Sequence, residues 1–299
     1  MPRMDVYTQV TDRIVTALKG GTVPWKRPWR SVGGFPVSLS TGKPYRGINV
    51  MILGMANYAD PRWGTYRAIN SAGGQVRKGE KSTSIILWKP VVRRKQAGES
   101  QDGTYLLLTS YAVFNATQAD GLPDLPSEEY REFTPIELAE RIVAGYVWEQ
   151  GADNEGPAVL HGHDGASYSI AADTVQMPEP RMFDSDEAYY CTLFHELAHS
   201  TGAEKRLGRL EPALFGTDPY AREELVAEIG ASFLSGMAEF EDAGGEQSAS
   251  YIANWLRRFE DDPKLIVQAS AQAQKGVDLI LGTTFDEPVP SETRESILA

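Results

Sequence analysis

The chain has 299 residues, 41% hydrophobic and 23% charged, and its formal net charge of -12 hides a split: residues 1–115 hold 17 Lys+Arg against 6 Asp+Glu (+11), residues 116–299 hold 12 against 35 (-23). One cysteine excludes an internal disulfide framework, and neither the opening MPRMDVYTQVTDRIV nor any later apolar run resembles a secretory core or a membrane span. The cytoplasm is therefore the expected compartment, a membrane is not an expected partner, and the length suits one large domain or two ordinary ones. Charge segregation of this size favours two units with different partners. The composition changes at the turn-rich stretch from Asn115 to Ser127, which places a basic domain at residues 1–118, a linker at 119–130 and a second domain at 131–299.

The basic part opens on an amphipathic helix over 5–19, with Val6, Val10, Ile14 and Leu18 on one face and Gly20-Gly21 as its stop. PWKRPWR follows, in which Trp25 and Trp29 alternate with Lys26, Arg27 and Arg30. Such rings can stack on bases while the cations hold phosphates; they can equally pin an extended segment to a core. YRGINVMILGMANYAD predicts a second helix with Tyr45 and Arg46 at its entrance. Ala72-Gly73-Gly74 reads as a turn and Arg77-Lys78-Gly79-Glu80-Lys81 as a basic loop, while SIILWKPVV and TYLLLTSYAVF read as strands. With Trp63, Tyr66, Arg67 and Trp88 nearby, the set suits single-stranded DNA, because unstacked bases are what exposed rings engage and no finger or basic-zipper pattern is present. The competing reading is a solvated basic face.

In the acidic part, Thr134-Pro135 caps a helix, and GASYSIAADTVQMP reads as strands, an edge able to hold a peptide by strand addition. CTLFHELAHSTG comes next. Ser185 is the expected N-cap, Asp186 and Glu187 suit the positive helix end, and the run continues without proline or glycine to His199. His195 and His199 then project from one face, one turn apart. In H-E-x-x-H two imidazoles hold zinc and the glutamate, here Glu196, acts as base for its water. Manganese and cobalt are the alternative ions.

A third ligand is needed. Lys205 stands where an extended motif would place a third histidine, and His161 and His163 sit in a glycine-flanked surface turn. DPYAREELVAEIGASFLSGMAEF supplies the better source. Leu225, Ile229, Phe233 and Met237 mark its buried stripe, and Glu224 and Glu228 share another face. We assign Glu224 as ligand and Glu228 as the group that orients a ligand histidine; Glu223 is roughly 100° away from Glu224. Cys191 reads as an inert buried thiol. Two more helices follow, with Trp255 and Leu256 in the core.

The stretches that carry a family likeness are Gly21-x-x-Pro24-Trp25-x-x-Pro28-Trp29, Tyr45-Arg46-Gly47-Ile48-Asn49, Arg77 to Lys81, Thr192 to Gly202 and Glu223 to Glu228. On these the chain resembles the ArdC antirestriction proteins of conjugative plasmids over most of its length, and its first half is also similar to the N-terminal part of plasmid conjugation primases. The resemblance implies an α+β chain: a mixed α/β domain that binds single-stranded DNA, then a zincin-like metallopeptidase domain with Glu224 as third ligand. It also implies protection of incoming plasmid DNA from host restriction. Ala203 and Cys191 depart from the family's usual residues. Two other readings stand beside this one: a DNA-dependent metalloprotease acting on a repressor, a restriction protein or another DNA-bound protein, and a nucleic-acid binding protein whose metal is purely structural.

Overall fold

The computed structural model describes residues 6–21, 23–25, 35–56, 58, 60–93, 103–123, 135–147, 156–210, 218–240 and 249–283. The first half contains α1 (Val6–Lys19), β1 (Val37–Ser38), α2 (Ile48–Gly54), β2 (Arg62–Gly64), α3 (Tyr66–Ser71), β3 (Gln75–Val76), β4 (Thr83–Arg93), β5 (Gly103–Asn115) and β6 (Ala119–Asp120). The second contains α4 (Pro135–Tyr146), β7 (Ala158–His161), β8 (Ser167–Ser169), β9 (Thr174–Met177), α5 (Asp186–Ser200), α6 (Asp218–Met237), α7 (Ala249–Asp261) and α8 (Leu265–Ile280).

The expected α1 forms and buries Val10, Ile14 and Leu18. β4 and β5 pair antiparallel from Thr83↔Val113 to Arg93↔Gly103, and the sheet continues in the order β1-β2-β5-β4. Asn49 of α2 clips this hairpin. Its amide donates to the Ile86 carbonyl at 2.6 Å and its oxygen accepts from the Ile86 N–H at 2.8 Å, which satisfies both buried groups. β6 pairs with β3, so the first two residues of the expected linker belong to a small sheet of the basic half. α3 and β7 have no counterpart in the sequence reading, because elements of six and four residues are too short for periodicity to show.

In the second half β9 lies between β7, parallel to it, and β8, antiparallel to it. α5 packs over this sheet and α6 packs on α5. The two helices approach closely at Gly230, where a Cβ would stand 3.1 Å from the Ala198 Cβ. That approach brings the acidic face of α6 up to the histidines of α5.

One buried cluster runs through both halves, from Val10, Ile14, Trp25 and Met51 to Trp255, Phe259 and Ile266. Polar contacts tie the same face. Thr11 Oγ1 donates to the Pro263 carbonyl at 2.6 Å, the Gly47 N–H to Gln274 Oε1 at 3.0 Å, and Arg46 pairs with Asp278. α7 and α8, near the end of the chain, therefore complete packing that begins at its start.

Candidate metal centre and nucleic-acid interface

α5 begins as expected, with Ser185 Oγ accepting from the Ala188 N–H at 3.1 Å. Three turns on, His195 Nε2 and His199 Nε2 stand 3.1 Å apart. Glu224 faces both, with Oε2 3.5 Å from His195 Nε2 and Oε1 3.6 Å from His199 Nε2. A tetrahedral ion with bonds of about 2.0–2.1 Å sets its ligand atoms roughly 3.3 Å from one another. The triangle fits that spacing, and two imidazoles with one carboxylate is a donor set for a divalent ion of the zinc type. Among the described residues this is the cluster that can hold a metal.

His199 is oriented from behind. Its Nδ1 lies 3.1 Å from Glu223 Oε1, a contact that suits a proton on Nδ1 and would leave the Nε2 lone pair for a bound ion. Arg209 fixes Glu223 in turn, with Nε 3.0 Å from Oε2 and Nη2 2.9 Å from Oε1. Arg209 also donates to Thr201 Oγ1 and to the Ala198 carbonyl, each at 2.6 Å, which locks it to the end of α5. Its loop folds back there because the Gly202 carbonyl accepts from both the Arg209 and Leu210 N–H groups. A Cβ at Gly202 would stand 2.7 Å from Leu210 Cγ.

This arrangement corrects the role expected of Glu228. Glu223 supplies the histidine's carboxylate, because its place one residue before Glu224 swings it to the flank of His199. Glu228, a turn beyond Glu224, faces Trp25 and α7 instead: Trp25 Nε1 donates to its Oε2 at 2.8 Å, and the Tyr251 hydroxyl donates to the same oxygen. The sequence reading missed Arg209. Its one sequence signal was Gly202, read as a helix stop when it also permits the return of the loop.

Glu196 is 8% exposed. Burial pushes its carboxyl above the usual range, with the two histidines opposing the shift, and it accepts the backbone N–H of Tyr168 on β8. The edge of β8 thus borders the centre. Tyr220, one turn before Glu224 on α6, donates its hydroxyl to that carboxylate; burial and then the charge of Glu224 push its pKa up to about 12. Helix spacing from the ligand was the signal that could have found it. His161 is engaged elsewhere, its Nε2 2.8 Å from the Tyr189 hydroxyl, and Cys191 is buried.

The residues expected to meet DNA divide. Trp25 is fully buried, edge-on to Trp255 and Phe259 with centroids 5.9 and 5.8 Å away, and its N–H is taken by Glu228. It cannot stack on a base. Trp63 is also buried, edge-on to Tyr58 at 5.3 Å. Both corrections have one cause: an indole can bury roughly 150–250 Å² of surface, and these two fill core positions instead of serving as platforms. Tyr45 is half-buried, with its hydroxyl 3.4 Å from the Trp63 carbonyl, and Arg46 turns inward to Asp278. Arg77 is spent on shaping its own loop, bound to Glu80, Asp120 and the Thr117 carbonyl. Arg67, Lys78 and Lys81 are exposed. Lys26, Arg27, Trp29 and Arg30 lie outside the described residues, as does the side chain of Trp88.

An H-E-x-x-H helix, a glutamate from the helix that packs on it and an antiparallel edge strand beside them define a zincin-like metallopeptidase domain, and the family model of that description matches residues 148–272. The N-terminal domain of the anti-restriction factor ArdC matches residues 4–114. Solved structures of the antirestriction ArdC protein from plasmid R388 resemble the chain as a whole. The metal-free form is 33% identical with a TM-score of 0.74, covering 94% of this chain and 100% of that one. The Mn(II)-bound form is 35% identical with a TM-score of 0.75, covering 93% and 98%. The chain belongs to the ArdC family of antirestriction proteins. It is also 35% identical to the DNA primase TraC of Escherichia coli over 97% of its own length, but spans only 28% of that primase.

Proposed function

We propose that the protein binds single-stranded DNA through its basic half and shields incoming plasmid DNA from restriction, and that its second half is a zinc centre built for peptide hydrolysis. The observation that carries this reading is the closed ligand triangle of His195, His199 and Glu224, backed by Glu223 and Arg209, in a chain whose first 115 residues carry a charge of +11. Zinc is our assignment for the ion. Manganese is the alternative, since a relative from plasmid R388 has a Mn(II)-bound form. No helix among the described residues is long and apolar enough to cross a membrane, and we place the protein in the cytoplasm.

When bound, the ion supplies a Lewis acid beside the carbonyl to be cleaved and lowers the pKa of a water. Glu196 takes the proton of the attacking water and returns it to the departing amine. Tyr220, whose hydroxyl donates to Glu224, holds that ligand carboxylate in place. The β8 edge gives a substrate strand backbone groups to pair with.

A second reading, a protease switched on by DNA, is favoured by one contact. Trp25 directly precedes Lys26 and Arg27, and its N–H reaches Glu228, one turn from the ligand Glu224. Glu196→Gln separates the two. It removes the base, keeps the shape and should retain metal. If coating is the mechanism, a plasmid carrying this variant survives transfer into a restricting host as the parent does. If proteolysis is the mechanism, survival falls to the level of a plasmid lacking the gene, and the parent protein cleaves its target faster when single-stranded DNA is added.

A further inference from the structure

We infer that Tyr66 is a base-stacking platform of the single-strand binding face, an inference that rests on the DNA-binding reading above. It takes the place of Trp25 and Trp63, which the core has claimed. Tyr66 is 47% exposed and is the one aromatic among the large exposed apolar side chains of the described residues. Its ring is also held. Gln75 Nε2 donates to its hydroxyl at 2.8 Å, and the Asn70 side chain bonds the same group. The turn beneath it is fixed too, because Thr65 caps α3 by accepting from the Ala68 N–H at 3.1 Å. An exposed ring held in one orientation loses less freedom when a partner docks on it, which is the physical basis of preorganised binding.

The charge around Tyr66 points to the partner. Arg67 follows it directly, and Gln75, which grips the hydroxyl, begins the strand that leads into the loop of Lys78 and Lys81. The acids nearest this loop, Glu80 and Asp120, are occupied by Arg77 at 2.9 and 3.2 Å. Arg67, Lys78 and Lys81 are exposed and have no ion-pair partner among the described residues. An open π-face beside uncommitted cations suits an unstacked base with its phosphates. Bases inside a duplex are already stacked on each other and offer no face to the ring.

The test uses the full chain. Labelled oligothymidylate, a strand of equal length made of abasic sites, and a duplex are each titrated with the parent, Tyr66→Ala and Tyr66→Phe, after matching their thermal melts. Tyr66→Ala should bind oligothymidylate roughly 5- to 150-fold more weakly, the loss of one stacked base. Tyr66→Phe, which keeps the π-face but loses the bonds of its hydroxyl to Gln75 and Asn70, should fall between the parent and Tyr66→Ala. On the abasic strand the parent and Tyr66→Ala should bind alike. Equal losses on the abasic strand and oligothymidylate would mean that Tyr66 does not act through a base, and unchanged binding by Tyr66→Ala would remove it from the interface; either result overturns the inference while leaving DNA binding intact. Polyglutamate displacing oligothymidylate as well as a competing strand does would mark the patch as a general site for acidic partners. A parent chain that binds no strand would overturn the DNA-binding reading and this inference with it.

Discussion

Replacing His195 or His199 by alanine should leave the purified protein without metal after dialysis, while the parent retains about one ion per chain, as the one three-ligand site among the described residues requires. Glu224→Ala should weaken retention sharply, because one of three protein ligands is gone. Glu223→Ala tests the support behind the site. It leaves every ligand in place but removes the acceptor of His199 Nδ1–H and the partner of Arg209, so metal affinity should fall about 10- to 100-fold. Glu228→Ala should keep near-parental affinity, since its carboxylate answers Trp25 and Tyr251 and contacts neither ligand histidine. Competition with a chromogenic chelator compares the parent and the five variants in one series. Unchanged retention in the histidine and Glu224 variants would remove the ligand assignment. A large loss in Glu228→Ala beside none in Glu223→Ala would restore the histidine-orienting role to Glu228.

The contrast between Glu223 and Glu228 shows what was legible in the sequence. The metal helix was readable because its determinants are local: a serine cap, a run free of helix breakers, two histidines one turn apart. Periodicity on α6 likewise narrowed the third ligand to one face. It could not assign partners on that face, because these depend on where a second helix comes to rest. The close contact at Gly230 and Ala198 sets that position, and a loop fold-back that delivers Arg209 completes it. Trp25 failed for the same reason at longer range. Next to lysine and arginine, Trp25 has the local pattern of a stacking platform, but its hydrogen-bond partner lies 203 residues away. Local pattern can show that a large ring needs a surface; it cannot say whether that surface is a base or another helix.

That distant contact makes the basic half depend on the end of the chain. A fragment of residues 1–118 is expected not to melt cooperatively, although the charge split presents it as a self-contained unit. Cutting there removes α7 and α8 and leaves Trp25 without Trp255, Phe259 or Glu228, Thr11 without Pro263, and Arg46 without Asp278. The indole alone represents roughly 150–250 Å², about 4–6 kcal/mol at about 25 cal/mol per Å². A whole domain is typically stable by about 5–15 kcal/mol. Supplying residues 131–299 in trans should restore a cooperative transition, because the missing face returns with them. Within the full chain, Trp25→Phe should lower stability by about 1–3 kcal/mol, since a partly buried carboxylate loses one of its two donors. Calorimetry of the fragment, the mixture and the variant checks each step. A fragment that melts cooperatively at the temperature of the intact protein would mean that α1 and Trp25 find other partners. In that case the Trp25–Glu228 contact would join two independent domains, and ablating it should change how the centre responds to DNA while leaving metal affinity and the fold of each half untouched.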